Sequence, residues 1–510
     1  MPESEVKNRV LSYLTVGVPV GYVGELSFDV VENWPSTEKY KDGVHEHVMT
    51  HLRSGAIEGP VDTEHFPHKI SPLGAFPKKN SEKTRVIHDL SFPPGKSVND
   101  GISGEECSVT YSTVLDAVEL CKKYPTPWLA KYDIKDAYMH CAVKRSDRHL
   151  LGFKWYDENG DLVVYRQSSI PFGMRSSCRA FTDIAECLMF MCKKNGAADD
   201  SLFYLDDAIT ICGNKMECEK SIRVMVDTAE KAGFVVQDAK TVGPARKITF
   251  LGIEIDSINA QLKIPHEKLL EVRQELSMWL DKVSCTKREL LSILGVLQYC
   301  AKVVRDGRKF VGRLIQKSKE GKNLHSRVYL CGETKKDIRW WHKCMCNHNG
   351  VSYFPRDIDI STAKLLFTDA SDFGAAGVVD SKWTIRQFVG QFGWMKRKSI
   401  AYRELFAVVL AISTFGNYLK NTQVLMNIDN ESMQIAVKQG KSKDKEIMAL
   451  IRVVYFYTSI YKIDYSTMHI PGHRNSVADA ASRGNMVAFR SLAPHCDPQM
   501  TPPIDCLLNF

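Results

Sequence analysis

The stretch FYLDDAIT, residues 203–210, places two adjacent carboxylates, those of Asp206 and Asp207, inside an otherwise apolar, strand-like run. Charged groups in such a setting cost several kcal/mol unless they are paired or hold a metal. Neighbouring side chains of a flat strand point to opposite faces, so both acids can serve one cluster only at a hairpin tip. The apolar flanks SLFY and AITIC are the two arms that such a hairpin needs.

A second apolar strand contains the acids that could complete this cluster. The segment WLAKYDIKDAYMHCAV, residues 128–143, is interrupted by Asp133 and Asp136. Two Mg²⁺ ions that organise a phosphoryl transfer need several shared carboxylates, which Asp133, Asp206 and Asp207 would supply. A YxDD tetrapeptide alone is weak evidence, because acidic pairs on hairpins are common.

The composition indicates a multidomain globular protein with a concentrated basic stretch. The chain has 510 residues, 44% of them hydrophobic and 25% charged, so we expect several domains and ordinary solubility. Residues 302–343 contain 13 Lys or Arg against 4 Asp or Glu, although the whole chain carries only +8. This stretch predicts a polyanion contact, with a solvated helix face as the alternative.

Cysteine usage and the terminal sequence predict an intracellular protein. The 15 cysteines form no CxxC pair and no Cys/His array of zinc spacing, as in reduced proteins. The start, MPESEVKNRV, has no apolar signal segment, and no run reaches the length of a membrane span. We therefore expect a location in the cytoplasm, the nucleus or both, without a membrane partner.

Hydrophobic periodicity divides the chain into differently patterned regions. Residues 1–65 read as a mixed leader with a helix in KYKDGVHEHVMTHLRSGAI, and residues 66–260 alternate β-rich and helical pieces, as in α+β or α/β layers. A helical, basic block, residues 261–350, follows. The apolar face of its first helix consists of Leu269, Val272, Leu276, Trp279 and Val283. Its second helix opens with a capping box of Thr286 and Glu289. The Trp340–Trp341 pair predicts packing at a domain interface.

A second set of acids lies in residues 351–490. Asp369 follows a hydrophobic strand in LLFTDASDFGAAGVVD, and Glu404 lies in a helical pattern, AYRELFAVVLAI. Asp429 follows the strand of QVLMNIDN, and Asp479 lies just inside a predicted final helix in HIPGHRNSVADAASR. Each acid alone is more often a surface group or a helix cap, but the four together could form another two-metal cluster.

The order of the motifs resembles that of a reverse transcriptase. The segment SPLGAFPKKNSEKTRVIHDLS is similar to the fingers, and YDIKDAY, IPFGMRSSCRAF, YLDD and GFVVQDAKT are similar to four successive palm motifs. FLGIEI is similar to the primer-grip hairpin. The resemblance implies a right-hand polymerase with fingers and palm in residues 66–260 and a thumb or connection in 261–350. IHDLSFPPGKSVNDGI resembles DIRS-type retrotransposons, which integrate through a tyrosine recombinase, and PFG is more loosely similar to gypsy-type elements.

Site residues follow from this resemblance by position. Asp133 and Asp206 correspond to the metal-binding pair and Asp207 to the third palm acid, with two Mg²⁺ per active site and Mn²⁺ as a substitute. The carboxylate of Asp136 is assigned no metal. Four residues correspond to dNTP contacts, with Lys79 as an alternative to the first of them: Lys78, Arg85, Tyr138 and Gly173.

Each of these dNTP contacts has a physical reason. Cationic side chains offset the charge of the leaving phosphates. The ring of Tyr138 would block a ribose 2′-OH, with a tyrosine buried in the core as the alternative. Gly173 would allow close approach of the backbone to the nucleotide or template. Phe172 stands where retroviruses have a polar residue, so we expect apolar packing there. RSSCRAF replaces the small Asn-Ala-Pro run of gypsy-type relatives, which puts template contacts in this segment in doubt.

The second set of acids lies in motifs that resemble those of the ribonuclease H domain joined to retroelement polymerases: TDAS, REL, IDN and HIPGHRNSVADAASR. This α/β domain would occupy residues 351–490, before a tail at 491–510, and would bind metal through Asp369, Glu404, Asp429 and Asp479. His473 resembles a mobile histidine that assists product release, and the competing His469 is interpreted as structural.

These resemblances imply an RNA- and DNA-templated DNA polymerase with ribonuclease H activity. Its partners would be an RNA template, a DNA primer, the RNA–DNA hybrid, dNTPs and a tyrosine recombinase on another chain. Phosphate contacts would come from the basic block, through Arg305, Arg308, Lys309 and Arg313. The alternatives are a non-enzymatic nucleic-acid-binding remnant and an RNA-dependent RNA polymerase, the latter disfavoured by Tyr138 and the attached nuclease.

Overall fold

The strand that ends at Asp133 and the hairpin that carries Asp206 and Asp207 lie side by side in one sheet. This arrangement comes from a computed structural model that describes residues 4–25, 29–62, 66–78, 83–330 and 332–505. Backbone contacts divide the chain into two units, Met1–Leu251 and Gly252–Phe510. The described part of the leader belongs to the first unit. The basic block and the region after it share the second unit.

The elements of the first unit follow the predicted alternation of strands and helices. Its helices are α1 (Glu5–Val16), α2 (Ser36–Lys39), α3 (Lys41–Arg53), α4 (Val114–Cys121), α5 (Ser177–Lys194) and α6 (Lys215–Lys231). Its strands are β1 (Asp29–Val30), β2 (Ile57–Glu58), β3 (Lys69–Ile70), β4 (Leu73–Pro77), β5 (Thr84–His88), β6 (Trp128–Asp133), β7 (Gly152–Tyr156), β8 (Leu162–Gln167), β9 (Ser201–Tyr204), β10 (Asp207–Cys212), β11 (Val242–Ala245) and β12 (Lys247–Phe250). Short 3₁₀ turns span Asn99–Gly101, Ala137–His140, Arg145–Leu150 and Asp238–Lys240.

The sheet that carries the first acids has the order β11-β6-β10-β9. Alternate residues of β6 and β10, such as Tyr132 and Ala208, are fully buried in one core with Phe181 of α5 and Met225 of α6. Because this core buries one face of the sheet, the pairing register of β6 and β10 is fixed. A slip by one residue would turn the acids to the opposite face of the sheet.

The N-terminal segment is an integral part of the first unit. Helix α3, predicted from the sequence, packs Val44 and Val48 against Phe153 and Trp155 of the sheet ordered β1-β3-β7-β8-β2. This segment also supplies two of the strands in that sheet, β1 and β2. Helix α1 packs on α5, where Arg9 donates to the buried Asp183 through Nε at 2.7 Å and Nη2 at 2.9 Å.

The second unit begins with short strands and helices and continues into a larger sheet. Its helices are α7 (His266–Leu280), α8 (Lys287–Cys300), α9 (Gly312–Ser318), α10 (Gly332–Asn347), α11 (Ile400–Phe415), α12 (Glu431–Gln439), α13 (Lys445–Tyr461), α14 (Ser476–Ser482) and α15 (Met486–Leu492). Its strands are β13 (Ile253–Asp256), β14 (Gln261–Lys263), β15 (Ser284–Thr286), β16 (Arg327–Tyr329), β17 (Val351–Tyr353), β18 (Lys364–Ala370), β19 (Gly374–Val379), β20 (Lys382–Gln387), β21 (Gln423–Ile428) and β22 (Asp464–His469). Its 3₁₀ turns span Gly307–Phe310, Gly390–Arg397 and Gly472–Arg474.

The helical predictions for the basic block are confirmed with one exception. Helix α7 buries Leu269, Val272, Leu276 and Trp279, as the periodicity predicts. The prediction for Val283 is wrong: the helix ends at Leu280, and the Val283 side chain is 65% exposed. Helix α8 opens with the predicted capping box. The Thr286 hydroxyl accepts a hydrogen bond from the Glu289 amide, and the Glu289 carboxylate accepts one from the Thr286 amide.

The tryptophan pair packs where α10 meets α13, within the second unit. Trp340 and Trp341 are both fully buried. Trp340 donates from Nε1 to the carbonyl of Arg452 at 3.0 Å and packs on Phe310 with ring centroids 4.3 Å apart. The basic block is thereby joined to the helices that cover the larger sheet.

The larger sheet has the order β20-β19-β18-β21-β22, with β18, β21 and β22 parallel and β18, β19 and β20 antiparallel. Helices lie on both of its faces. A Cβ on Gly377 would lie 2.5 Å from Cβ of Ala411, so glycine lets α11 approach the sheet closely. The adjacent Ala376 and Val378 point the other way and pack with Phe489 of α15.

Helix α14, which carries Asp479, is not the final helix that the sequence predicts, because α15 follows it. Among the described residues, none of the helices combines the length and apolar character needed to cross a lipid bilayer.

Candidate active sites

The predicted hairpin of the YLDD segment forms, and it brings the first three acids together. Strand β9 ends at Tyr204, β10 begins at Asp207, and Leu205 makes the turn with a positive φ of 54°. Asp207 is paired in register with Asp133 of the neighbouring strand, and the amide of Ile134 donates to the carbonyl of Asp206 at 3.0 Å. The two sequence segments, more than 70 residues apart, therefore meet at one edge of the sheet.

Burial and mutual repulsion disfavour the charged forms of Asp206 and Asp207 in this acid cluster. Burial raises the pKa of Asp206, and the neighbouring charges of Asp133 and Asp207 raise it further. Burial and the charge of Asp133 likewise raise the pKa of Asp207. The ammonium group of Lys240 lies 2.9 Å from both carboxylate oxygens of Asp133.

Lys240 is a site residue that the sequence reasoning did not identify. It lies in the 3₁₀ turn Asp238–Lys240, next to Gln237, whose amide donates to the Asp133 carbonyl at 2.9 Å. The sequence signal for Lys240 was its position in GFVVQDAKT, the segment that resembles the fourth palm motif. The ammonium group shows that a cation fits beside Asp133, and three carboxylates are hard oxygen donors of the kind that Mg²⁺ and Mn²⁺ bind. The residues thus fit divalent cations, which Asp133, Asp206 and Asp207 would hold.

The ring of Tyr138 lies beside the cluster, between two phenylalanines. Its centroid is 4.7 Å from that of Phe172 and 5.4 Å from that of Phe181. The expected apolar packing of Phe172 is therefore confirmed, with Tyr138 as its partner. The Tyr138 hydroxyl lies 3.3 Å from Sγ of Cys178, a contact that the sequence did not indicate.

Gly173 is required by the backbone itself. Its φ is +103°, and a Cβ there would lie 2.8 Å from the carbonyl oxygen of His88. The side chain of Asn99 donates to the Gly173 carbonyl at 2.7 Å and fixes the loop. The close approach thus involves the protein backbone, and the predicted nucleotide or template contact stays a prediction.

The predicted triphosphate contacts lie on the β4–β5 hairpin. Lys78 and Arg85 are both exposed, and the Lys78 amide donates to the carbonyl of Lys83 at 2.8 Å. Lys79, the alternative to Lys78, lies outside the described residues.

The second set of acids meets at the carboxyl ends of two parallel strands. Asp369 lies on β18 and Asp429 directly follows the adjacent β21, with Thr368 paired to Ile428. Glu404 reaches the same point from α11. In the described part of the chain, these three form the acidic group whose ligand atoms all lie within 4.8 Å of one another. Asp133, Asp206 and Asp207 do not form such a group there.

The electrostatics of this cluster also fit a divalent cation. Burial, followed by repulsion from Asp369 and Asp429, raises the pKa of Glu404 to about 9. Burial raises the pKa of Asp369 to about 7, although a hydrogen bond from the Ser482 hydroxyl acts to lower it. Oε2 of Glu404 is buried and accepts no hydrogen bond from the described residues. An orphaned oxygen among buried acids is a ready ligand for Mg²⁺.

The remaining predicted residues of this region lie outside the three-acid group. Asp479 pairs with Arg483 at 2.7 Å, and its side chain is 40% exposed. It is still close enough for its charge to raise the pKa of Asp369. His473 is exposed in a 3₁₀ turn, whereas the Nε2 of His469 contacts the Asp429 carbonyl oxygen at 3.0 Å, in keeping with its structural interpretation.

Three of the four predicted phosphate contacts of the basic block are engaged within the second unit. Arg305 pairs with Asp464, and Lys309 donates to the Tyr455 hydroxyl at 2.7 Å. Arg313 makes a bidentate ion pair with the fully buried Asp337 at 2.5 and 2.7 Å. Arg308 is exposed. The phosphate role stays a prediction for all four, and these contacts give three of them a structural role as well.

Comparisons with known proteins agree with the motif order. Residues 79–255 match the family model described as reverse transcriptase (RNA-dependent DNA polymerase). The enzymatic polyprotein of figwort mosaic virus (strain DxS) is 21% identical over 363 residues, covering 69% of this chain and 50% of that protein. The enzymatic polyprotein of cauliflower mosaic virus (strain NY8153) is 22% identical over 448 residues, covering 83% of this chain and 61% of that protein.

The fold is similar to that of a solved polymerase. The foamy viral protease-reverse transcriptase dRH in complex with double-stranded DNA matches with a TM-score of 0.50 and 13% identity, covering 89% of this chain and 74% of that chain. The chain itself spans between half and two thirds of the length of the two viral polyproteins. Residues 79–255 thus match the reverse transcriptase family model, the mixed α/β fold is similar to that of the foamy viral protein, and the sequence is similar to two viral enzymatic polyproteins.

Proposed function

We propose that this chain is a DNA polymerase that copies RNA and DNA templates and also cleaves the RNA strand of RNA–DNA hybrids. The observation that carries the polymerase part is the register pairing of Asp133 with Asp207, next to Asp206 at the hairpin turn. Three carboxylates at one sheet edge are suited to phosphoryl transfer, because they can hold the cations that neutralise a phosphate.

In the proposed reaction the primer 3′-oxygen forms a bond to the α-phosphorus of a dNTP, and the bond to pyrophosphate breaks. Asp133, Asp206 and Asp207 would hold divalent cations, which would supply charge neutralisation and orientation. Lys78 and Arg85 offset the charge of the leaving phosphates. Tyr138 excludes the 2′-OH of rNTPs, and Gly173 lets the backbone of its loop approach the nucleotide or template.

Primer extension tests the polymerase proposal. The unmodified protein should incorporate dNTPs on RNA and on DNA templates in Mg²⁺ or Mn²⁺, whereas Asp206→Asn should lose nearly all incorporation. Equal incorporation by both proteins would contradict the proposal and would favour a non-enzymatic, nucleic-acid-binding protein. Preferential incorporation of rNTPs by the unmodified protein would favour an RNA polymerase.

The proposed ribonuclease H activity is carried by the second acid group. Asp369, Glu404 and Asp429, with ligand atoms within 4.8 Å of one another, support hydrolysis of a phosphodiester by bound divalent cations. Asp479 and His473 would assist from the edge of the site. A hybrid with a labelled RNA strand should be cut by the unmodified protein and by Asp206→Asn, but not by Glu404→Gln.

The remaining parts of the proposal concern partners and origin. The RNA template, the DNA primer, their hybrid and dNTPs are its substrates, and the exposed part of the basic block supports the phosphate contacts. IHDLSFPPGKSVNDGI supports a DIRS-like retroelement as the source, with a tyrosine recombinase on another chain. Location in the cytoplasm, the nucleus or both belongs to the same proposal.

A further inference from the structure

The hydroxyl of Tyr138 is held at a thiol rather than left in solvent. Cys178, the second residue of α5, places its Sγ 3.3 Å from this hydroxyl. Two rings confine Tyr138 from its sides, Phe181, which is 1% exposed, and Phe172, which is 48% exposed. Tyr138 itself is 6% exposed, so an outward movement of its ring would have to displace Phe172, the exposed one of the two phenylalanines.

The same thiol is the meeting point of a second tyrosine. Burial and a hydrogen bond with Cys178 both raise the pKa of Tyr111. The Tyr111 ring in turn packs on Tyr204, the first residue of the YLDD hairpin, with centroids 5.2 Å apart. Cys178 therefore influences both the ring proposed to exclude the 2′-OH and Tyr111, the ring that packs on the acid-bearing hairpin.

We propose that Cys178 is a positioning residue for sugar selection, which anchors the Tyr138 hydroxyl so that the ring stays against the ribose C2′ position. This inference rests on the proposed polymerase function. A ring tied at its far end resists displacement by an rNTP, whereas an untied ring can yield toward Phe172 and admit the 2′-OH. The segment RSSCRAF, in which the sequence puts template contacts in doubt, thereby acquires a role through Tyr138.

Single-nucleotide primer extension with paired dNTP and rNTP substrates tests this role through the ratio of their kcat/KM values. Cys178→Ala should lower the dNTP preference by about fivefold, the factor expected for one neutral hydrogen bond. Cys178→Ser, whose hydroxyl can also donate and accept, should keep most of the preference. Cys187→Ala, on the same helix but away from Tyr138, is the matched control and should keep all of it.

A double-mutant cycle separates anchoring from general damage to the site. Tyr138→Phe keeps the ring and removes only the hydroxyl, so it should cost the same factor as Cys178→Ala, and the double variant should lose no more than either. A dNTP preference unchanged in Tyr138→Phe, or losses that multiply in the double variant, would overturn the anchoring role. Absence of dNTP incorporation by the unmodified protein would instead overturn the polymerase proposal, and this inference with it.

Discussion

The ammonium nitrogen of Lys240 lies 2.9 Å from each carboxylate oxygen of Asp133. The lysine side chain is 54% exposed, whereas that of Asp133 is 9% exposed. An inner acid thus has an outer, half-exposed counter-ion. Lys240 stands where a divalent cation would contact Asp133, so the two compete for the same oxygens.

Replacing Lys240 should therefore strengthen metal binding at the first acid cluster. In Lys240→Met the three carboxylates keep their mutual repulsion but lose their internal counter-ion, and we expect about fivefold tighter Mn²⁺ binding, in line with a partly exposed ion pair. Electron paramagnetic resonance titration of Mn²⁺ measures this directly. The Asp369→Asn/Glu404→Gln background removes the second cluster from the signal.

Lys240→Arg is the matched control, because it keeps a positive charge near Asp133. Its Mn²⁺ affinity should stay close to that of the background protein. If Lys240→Met and Lys240→Arg bind Mn²⁺ equally, Lys240 does not compete with the metal.

The buried acids of the second cluster predict an unusual dependence of stability on pH. The pKa of Glu404 is raised to about 9 in the folded protein, mainly by burial, so this carboxyl binds a proton that the unfolded chain releases. The free energy of unfolding should consequently fall as the pH rises from about 5 toward 9 in metal-free buffer. Glu404→Gln removes this loss, and its Tm should exceed that of the unmodified protein by about 2–4 °C at pH 8.

Thermal unfolding in EDTA at pH 5 and pH 8 measures this effect. At pH 5 the two Tm values should converge, because Glu404 is then neutral in the folded state and resembles glutamine. The exposed Glu431 is the control, and Glu431→Gln should shift Tm little at either pH. A gap between Glu404→Gln and the unmodified protein that does not change with pH would contradict the prediction.

The three-acid group and Asp479 should contribute unequally to cleavage of a hybrid. Asp369→Asn and Glu404→Gln remove ligands from the buried group, and each should slow RNA cleavage by about 100-fold or more. Asp479 is 40% exposed and paired with Arg483, so Asp479→Asn should slow it by only about tenfold. Rates with a labelled hybrid test the ranking, and primer extension by the same variants serves as the internal control. Equal losses for all three would show that Asp479 is a full member of the group.

Within the basic block, exposure separates phosphate contacts from structural ion pairs. Arg308, Lys319 and Lys322 are exposed, so their joint replacement by alanine should weaken hybrid binding and flatten its log–log salt dependence by about 2 to 3 units. Arg313→Ala leaves the buried Asp337 with fewer partners and should instead lower Tm. Fluorescence anisotropy at several salt concentrations separates the two effects. A salt slope unchanged by the triple replacement would show that these side chains are only a solvated face.

Local patterns in the sequence determined the elements and the acids they carry. The hairpin of Asp206 and Asp207, the capping box of Thr286 and the apolar face of α7 all depend on residues within a few positions of one another. Such short-range preferences are encoded by side-chain period and hydrogen-bonding chemistry, so they can be read without a fold. The failure at Val283 has the same origin, because periodicity does not show where a helix ends.

Only the tertiary structure decided which side chains serve those acids. The contact of Lys240 with Asp133 joins residues 107 positions apart, and that of Tyr138 with Cys178 joins residues 40 apart. Arg313 is one of many cations in its block, and its ion pair with the buried Asp337 gives it a structural role that its neighbours in sequence do not indicate. These choices depend on distance and burial in three dimensions, since an ion pair or hydrogen bond forms wherever folding brings donor and acceptor together, whatever their separation along the chain.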